Sequence, residues 1–310
     1  MIPDLPDGYT ARAIDPASDF RAVSELLRAC DRHDVGTEDH LDVWITQMWG
    51  GPHYRGGIAI EDRAGVLVGT GEMEAVDPVV FVDLFVSVLP AHRPAVRRLL
   101  VAWGEARAVE LAGGITSLVV AARAEDSSFG HELADLGCSH ARTFWHMHRA
   151  LPATDQRWEP PGGVTVRPSI PGEDDRVIFE VMNEAFTGHF GYVPVTQDAW
   201  WREQHSSALY DPSMFFVAET DGRVAGAASC HLMGDVGWIG EIGVLGPFRG
   251  RGIGKALLRR GFHELAARGA TWARLNVDSE NEAGATRLYE SVGMRVRRAF
   301  HVYEKRVGAG

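Results

Sequence analysis

Lysine is nearly absent. Only Lys255 and Lys305 stand among 31 basic residues, so arginine carries almost all the positive charge, and 42 acidic residues leave a net charge of −11. So acidic a balance argues against a nucleic-acid or anionic-membrane partner and leaves amines and other cations open as ligands. Cysteine is scarce. Cys30, Cys138 and Cys230 lie far apart with no Cys-x-x-Cys spacing, which excludes a disulfide framework and suits a reducing compartment. Long apolar runs are missing as well. The most apolar segment, Val79 to Leu89, holds 11 residues with Asp83 inside it, whereas a bilayer-spanning helix takes about 20. The opening MIPDLPDGYT carries acids and prolines where a secretory signal needs basic residues and an apolar stretch. The expectation is a cytoplasmic protein with neither a membrane nor a nucleic-acid partner.

What is present suffices for two cores. A chain of 310 residues with 45% hydrophobic and 24% charged residues has the length of two domains and the balance of a globular protein, not of a disordered or coiled-coil one. The chain also repeats itself. Gly8-Tyr-Thr-Ala-Arg12 matches Gly163-Val-Thr-Val-Arg167, Gly65-Val-Leu-Val-Gly69 matches Gly222-Arg-Val-Ala-Gly226, and Val88 through Arg93 matches Val244 through Arg249. Leu136-Gly-Cys matches Val292-Gly-Met, each with a phenylalanine (Phe144, Phe300) seven residues after its glycine. The offsets are 155, 157, 156 and 156 residues in unchanged order. A period this long means a tandem duplication of a domain, not a solenoid. The division expected from this is 1–150 and 164–310, joined by a linker over 151–163 rich in proline and glycine.

The second half alternates strand and helix signals. Val164–Arg167, Met214–Glu219, Arg223–His231, Gly237–Val244, Thr271–Val277 and Phe300–Glu304 read as strands. Asp221-Gly222 marks a tight hairpin. Asp174–Ala185, Gly252–Arg268 and the segment around Ala285, Leu288, Tyr289 and Val292 carry helical spacing. Strands between helices predict an α/β fold with a mixed sheet.

Arg249-Gly250-Arg251-Gly252-Ile253-Gly254-Lys255 follows a strand and opens a helix. Glycines let a ligand approach the backbone, a helix N-terminus favours anions, and Arg249, Arg251 and Lys255 can neutralise phosphate. A glycine-rich turn before a basic helix is the bland alternative. The spacing is too short for a dinucleotide-binding fingerprint, and no Gly-Lys-Ser/Thr follows for a Walker loop. Arg-x-x-Gly-x-Gly after a strand ending in valine, followed by Asn281-Glu-Ala-Gly-Ala-Thr-Arg-Leu-Tyr289, resembles the GNAT superfamily of acyl-CoA-dependent N-acetyltransferases. The likeness is strong over 164–305, and the duplication resembles its tandem, two-domain members.

The resemblance implies acetyl-CoA as co-substrate and no metal. It implies backbone groups of Ile242, Gly243 and Val244 beside the pantetheine arm and residues Arg249 to Gly254 around the pyrophosphate. It further implies a cofactor contact from Asn281 and Tyr289 as the acid that protonates the departing thiolate. A base is also needed, because an amine near pKa 10 must lose a proton. Glu241 is the candidate, although many relatives carry a glutamate three residues earlier, where Trp238 stands; a bulge permitted by Gly240 and Gly243 would re-aim it. His189, Tyr192 and Trp200, in the aromatic stretch 186–201 that covers the acceptor site in such proteins, are candidate substrate contacts. His146-Met-His148 puts two imidazoles on one strand face without a third ligand, and Cys230 has no assigned base partner.

The first half lacks the same chemistry. Arg93 is followed by Pro94 and no glycine, Glu125 stands at the position of Asn281, and Leu133 at that of Tyr289. Val96, Leu99, Leu100 and Trp103 still form a helical stripe. The expectation is a degenerate copy without cofactor, in a monomer that forms an internal pseudo-dimer. The function expected of the second half is acetyl transfer to a primary amine of a small molecule or peptide, in a ternary complex. An acyl-CoA-binding sensor without catalysis is the alternative.

Overall fold

Each half of the chain lays down the same ten elements in the same order, which is what a duplicated hydrophobic pattern dictates. A computed structural model describes residues 5–38, 42–151, 159–281 and 284–308. The first half runs β1 (Tyr9–Ala13), α1 (Pro16–Val35), α2 (Asp42–Gly50), β2 (Tyr54–Asp62), β3 (Leu67–Glu74), β4 (Phe81–Val88), α3 (Arg93–Ala112), β5 (Thr116–Arg123), α4 (Ser127–Asp135) and β6 (Ser139–Ala150). The second runs β7 (Val164–Pro168), α5 (Asp175–Phe186), α6 (Gln197–Ser206), β8 (Phe215–Thr220), β9 (Arg223–Met233), β10 (Val236–Val244), α7 (Ile253–Ala267), β11 (Trp272–Asp278), α8 (Ala285–Ser291) and β12 (Arg295–Val307). Asp221 and Gly222 both adopt positive φ, 53° and 71°, the geometry of the tight hairpin that their sequence predicts.

Two compact units result, and each draws its last strand from the other half of the chain. Unit 1 holds the residues up to Thr143 together with Phe300 onward; unit 2 holds Phe144–Ala299. In unit 1, β1 to β4 form an antiparallel ladder, β4 pairs in parallel with β5, and β5 pairs antiparallel with Phe300–Val307 of β12. In unit 2, β7 to β10 form the matching ladder, β10 pairs in parallel with β11, and β11 pairs antiparallel with Phe144–Ala150 of β6. The structural division therefore departs from the boundary expected at residue 150. Phe144–Ala150 follow their hydrogen bonds to β11, and the chain from Phe300 follows its bonds to β5. Of the linker expected over 151–163, residues 152–158 lie outside the described residues.

Each sheet buries one face under a long helix. In unit 2, Ile253, Leu257, Leu258, Phe262 and Leu265 of α7 pack on Ile239, Ala273, Leu275 and Val277. In unit 1, the expected stripe Val96, Leu99, Leu100 and Trp103 of α3 is buried against Leu84, Leu118 and Val120. Burying each such side chain contributes about 1.5–3 kcal/mol, enough to drive docking of helices that are marginal alone.

A further repeat lies in the ion pairs. Arg12 on β1 donates to Asp19 (2.6 Å) and Glu61 (2.8 Å), and Arg167 on β7 donates to Asp174 (2.6 Å) and Glu219 (2.7 Å). Each aspartate also accepts a backbone N–H four residues before it, from Asp15 and Ile170. These bonds hold both carboxyls below the ordinary carboxylate range. The pairing clamps the first strand of each unit to the start of its first helix. Only the spacing Arg-x6-Asp signals it in the sequence.

Candidate active site

The site begins where two parallel strands part. β10 and β11 pair at only three positions, Val236 with Trp272, Gly237 with Ala273 and Trp238 with Arg274. Beyond Trp238, a cavity of about 580 Å³ is lined on one side by Ile239, Gly240 and Ile242 to Val244 and on the other by Leu275 to Asp278. A split of this kind leaves strand-edge N–H and C=O groups facing the cavity instead of each other. The remaining wall comes from the loop after α5, the turn before α7, and α8.

The turn is built for an anion. Gly250 and Gly252 both take positive φ, 78° and 79°, which glycine adopts without a Cβ clash. Gly252 caps α7 without a side-chain acceptor, so the first amides of the helix keep their hydrogens and their partial positive charge. Arg249 donates Nε to the Val244 carbonyl at 3.1 Å, fixing the end of β10. Among the described residues no carboxylate pairs with Arg249 or Lys255, and both line the cavity. This combination of glycine turn, open amides and unneutralised cations fits a diphosphate.

Arg251 stands elsewhere. It pairs with Asp221 at 3.3 Å and lies over the Phe248 ring, outside the cavity wall. The two left-handed glycines on either side aim it outward. Ile242, Gly243, Val244, Gly250, Gly252, Ile253, Gly254 and Asn281, the candidate cofactor contacts, all line the cavity. Asn281 also accepts from the Ala285 amide at 3.5 Å, near the start of α8.

Tyr289 lines the same cavity from α8. Its side chain is buried, and burial pushes its hydroxyl up to about 12. It therefore keeps its proton at neutral pH, as a proton donor must.

Glu241 is re-aimed by the bulge that the sequence allowed. Ile239 pairs with Cys230 and Ile242 with Ala228, so Gly240 and Glu241 together oppose Ser229, and the Glu241 amide donates to Ser229 Oγ at 3.0 Å. Without the extra residue Glu241 would share the α7 face with Gly237 and Ile239. With it, Glu241 falls on the same face as Gly243, against which Val181 and Ala185 of α5 pack. The carboxylate is absent from the cavity wall itself. Its Oε2 is buried without a hydrogen-bond partner among the described residues. Burial pushes the group up to about 7, although the Trp200 indole donates to it and favours its charged form.

Of the candidate substrate contacts, His189 and Tyr192 line the cavity and Trp200 does not. Tyr192 donates to Asn183 on α5, and His189 packs edge-on against Phe186 at 5.2 Å. Trp200 is buried among Phe179 and Trp201 and reaches the site only through Glu241. Phe144 also lines the cavity. Sequence reasoning missed it, because Phe144 belongs to the first repeat and arrives through the exchanged strand β6. His146 and His148 sit on that strand against Trp238 and Trp272, at ring separations of 5.5 and 5.0 Å. Cys230 is fully buried, and burial pushes its thiol up to about 12; a thiol so protonated is a poor nucleophile.

Known proteins match this chain along most of its length. Residues 177–294 match the acetyltransferase (GNAT) family. A mycothiol acetyltransferase of Streptomyces griseus is 32% identical over 92% of this chain and 91% of its own length. Another, of Streptomyces coelicolor, is 32% identical over 87% of this chain and 85% of its own. A GCN5-related N-acetyltransferase from Sphaerobacter thermophilus superposes with a TM-score of 0.86 at 29% identity, covering 99% of this chain and 98% of that one. A tandem GNAT protein from the clavulanic acid biosynthesis pathway shares the fold, with a TM-score of 0.78 at 14% identity over 97% of this chain and 99% of its own. A cavity in a parted parallel pair, closed by a glycine turn and a buried tyrosine, thus occurs in a chain that belongs to the GNAT family and is an acetyl-CoA-dependent N-acetyltransferase.

Proposed function

We propose that unit 2 transfers the acetyl group from acetyl-CoA directly to the primary amine of a small molecule, with both substrates bound together. The observation that carries this is the single cavity wall joining the glycine turn, the free edges of the β10–β11 split and Tyr289. An anionic carrier and a reacting thioester need such an arrangement in one continuous space. The relatives named for mycothiol support a small-molecule acceptor over a peptide.

In this proposal Arg249, Lys255 and the amides of Gly250 to Gly254 hold the diphosphate, and Asn281 contacts the carrier nearby. Main-chain groups of Ile242, Gly243 and Val244 align the pantetheine arm and polarise the thioester carbonyl. Glu241 draws the ammonium in and takes its first proton; a carboxyl pushed up to about 7 is a stronger base than an ordinary one and still ionises near neutrality. Tyr289 protonates the leaving sulfur. His189 and Tyr192 contact the acceptor, and Trp200 acts through Glu241. No covalent acyl-enzyme is formed.

Unit 1 is proposed to bind no acyl-CoA. Its equivalent turn has Pro94 in place of a donor, and carboxylates occupy its arginines: Asp34 bonds Arg93 at 2.7 Å, and Asp126 bonds both Arg93 and Arg97.

Turnover tests the proposal. Free thiol released from acetyl-CoA in proportion to an added amine, with no acetylated protein detected by mass spectrometry, is the expected result. Acetyl-CoA binding without amine-dependent thiol release across a panel of amino sugars, amino acids and polyamines would leave only a carrier-binding role. Acetylated protein would replace the direct transfer with a covalent route.

A further inference from the structure

An ammonium ion that becomes an amide nitrogen gives up two protons. One leaves before attack and one as the N–C bond forms. Glu241, set behind the cavity wall, is proposed to take one, which leaves a place for a second acceptor close to that wall.

His231 lies on β9, opposite Trp238 in register and two residues from Ser229, which the bulge opposes. Its Nδ1 lies 3.3 Å from the Leu209 carbonyl. A carbonyl oxygen can only accept, so Nδ1 carries the hydrogen and the lone pair resides on Nε2. Gly240 shows where Nε2 points. A Cβ at residue 240 would stand 2.8 Å from His231 Nε2 and 2.9 Å from Ser229 Oγ, closer than atoms pack. Gly240 is itself part of the cavity wall. The imidazole nitrogen thus lies directly behind Gly240 of that wall, with no side chain between them, while His231 is not itself one of the lining residues. Burial lowers His231 below its ordinary value, so the ring is neutral and able to accept at neutral pH. Nothing in the sequence spacing pointed to His231, because it is on a different strand from the motif and faces the site only across the bulge.

We infer that His231 Nε2 is the second proton acceptor of the transfer, reached past Gly240. This rests on the proposed reaction in unit 2. As the amine nitrogen bonds the acetyl carbon and the C–S bond breaks, the electron pair of that bond goes to sulfur, which takes the Tyr289 proton. Glu241 holds the first amine proton, and His231 takes the second. The Tyr289 oxygen recovers a proton from solvent or from these acceptors, so the net products are amide, thiol and one proton.

The test uses the full chain with the acceptor found in the turnover panel, and compares His231→Asn and His231→Ala with the parent. Asparagine keeps a donor for Leu209 and removes the Nε2 acceptor. The expected result is a kcat lower by about 10²-fold in both variants, the low end of general-base effects, with acetyl-CoA affinity by calorimetry unchanged. Added imidazole should restore at least a tenth of the lost rate to His231→Ala but not to His231→Asn, whose side chain fills the space. A His231→Asn kcat within threefold of the parent would overturn the inference, as would a slow His231→Ala enzyme that retains acetyl-CoA binding and is not rescued by imidazole. Should His231→Ala fail to fold, His231→Asn alone decides. Failure of the underlying reaction is seen separately, as a parent enzyme that releases no thiol with any amine.

Discussion

The same arginine does opposite things in the two units. Arg93 and Arg249 are equivalent, and each donates Nε to the carbonyl ending its parallel strand, Val88 at 3.2 Å and Val244 at 3.1 Å. There the likeness stops. In unit 1 the rest of the guanidinium is neutralised from within, by Asp34 of α1 and by Asp126, while Asp126 and Glu132 take Arg97 and Asp31 takes Arg123. In unit 2 no carboxylate among the described residues reaches Arg249, and the helix starts on glycine instead of proline. In one copy the arginine sits in a largely buried ion-pair lattice, and in the other Arg249 has no carboxylate partner among the described residues. Duplicated folds diverge cheaply at such a place, because the strand and helix need only the shared backbone anchor.

The largest expected break in this comparison comes from the tyrosine that only unit 2 has. Tyr289→Phe should lower kcat by about 10²–10⁴-fold while calorimetry finds acetyl-CoA affinity unchanged; an unaltered kcat removes Tyr289 from the proton path. Changing Leu133, its buried counterpart in unit 1, to Met should leave kcat within twofold of the parent.

The arginines give the next effect, and it should cross over. Arg93→Met takes the bidentate guanidinium partner from the largely buried Asp34 and should cost about 3 kcal/mol in denaturant unfolding, with acetyl-CoA affinity retained. Arg249→Met should lose about 1 kcal/mol of stability for the missing Val244 bond but weaken acetyl-CoA binding about tenfold. If Arg93→Met weakens binding as much as Arg249→Met does, unit 1 holds carrier after all.

The smallest effect concerns pH. A base pushed up to about 7 is protonated and idle below that value, so kcat/KM should rise with pH through about 7 and level off above it. Glu241→Gln should abolish that limb. Trp200→Phe removes a donor that favours the charged carboxylate, so the limb should move to higher pH and activity at pH 7 fall roughly threefold to tenfold. A limb that stays in place in Trp200→Phe would separate Trp200 from Glu241.

Much of the site was legible because its parts are local. The glycine turn, the helix it opens, and Asn281 and Tyr289 eight residues apart follow from chain-local φ preference and 3.6-residue periodicity, and each lines one cavity. Arg251 and Trp200 were legible as residues of the region but not in their contacts. Arg251 is drawn off by Asp221, thirty residues away, and Trp200 is turned into a support for Glu241. No local pattern encodes such pairings.

The amino-acid sequence by itself determined that this protein is a duplicated α/β chain, that its second copy carries a glycine turn before a basic helix and a tyrosine at helical spacing, and that its first copy has proline and leucine at the matching places. Periodicity, glycine and proline placement and a constant offset suffice for that, since they act within a few residues or by simple repetition. Only the tertiary structure decided which half completes which sheet, which way the bulge turns Glu241, that Phe144 lines the cavity and that His231 packs behind Gly240 of its wall. Strand partners and sheet faces are settled by hydrogen bonds and burial between segments far apart in the chain, and a one-residue bulge moves a side chain from one face of a sheet to the other.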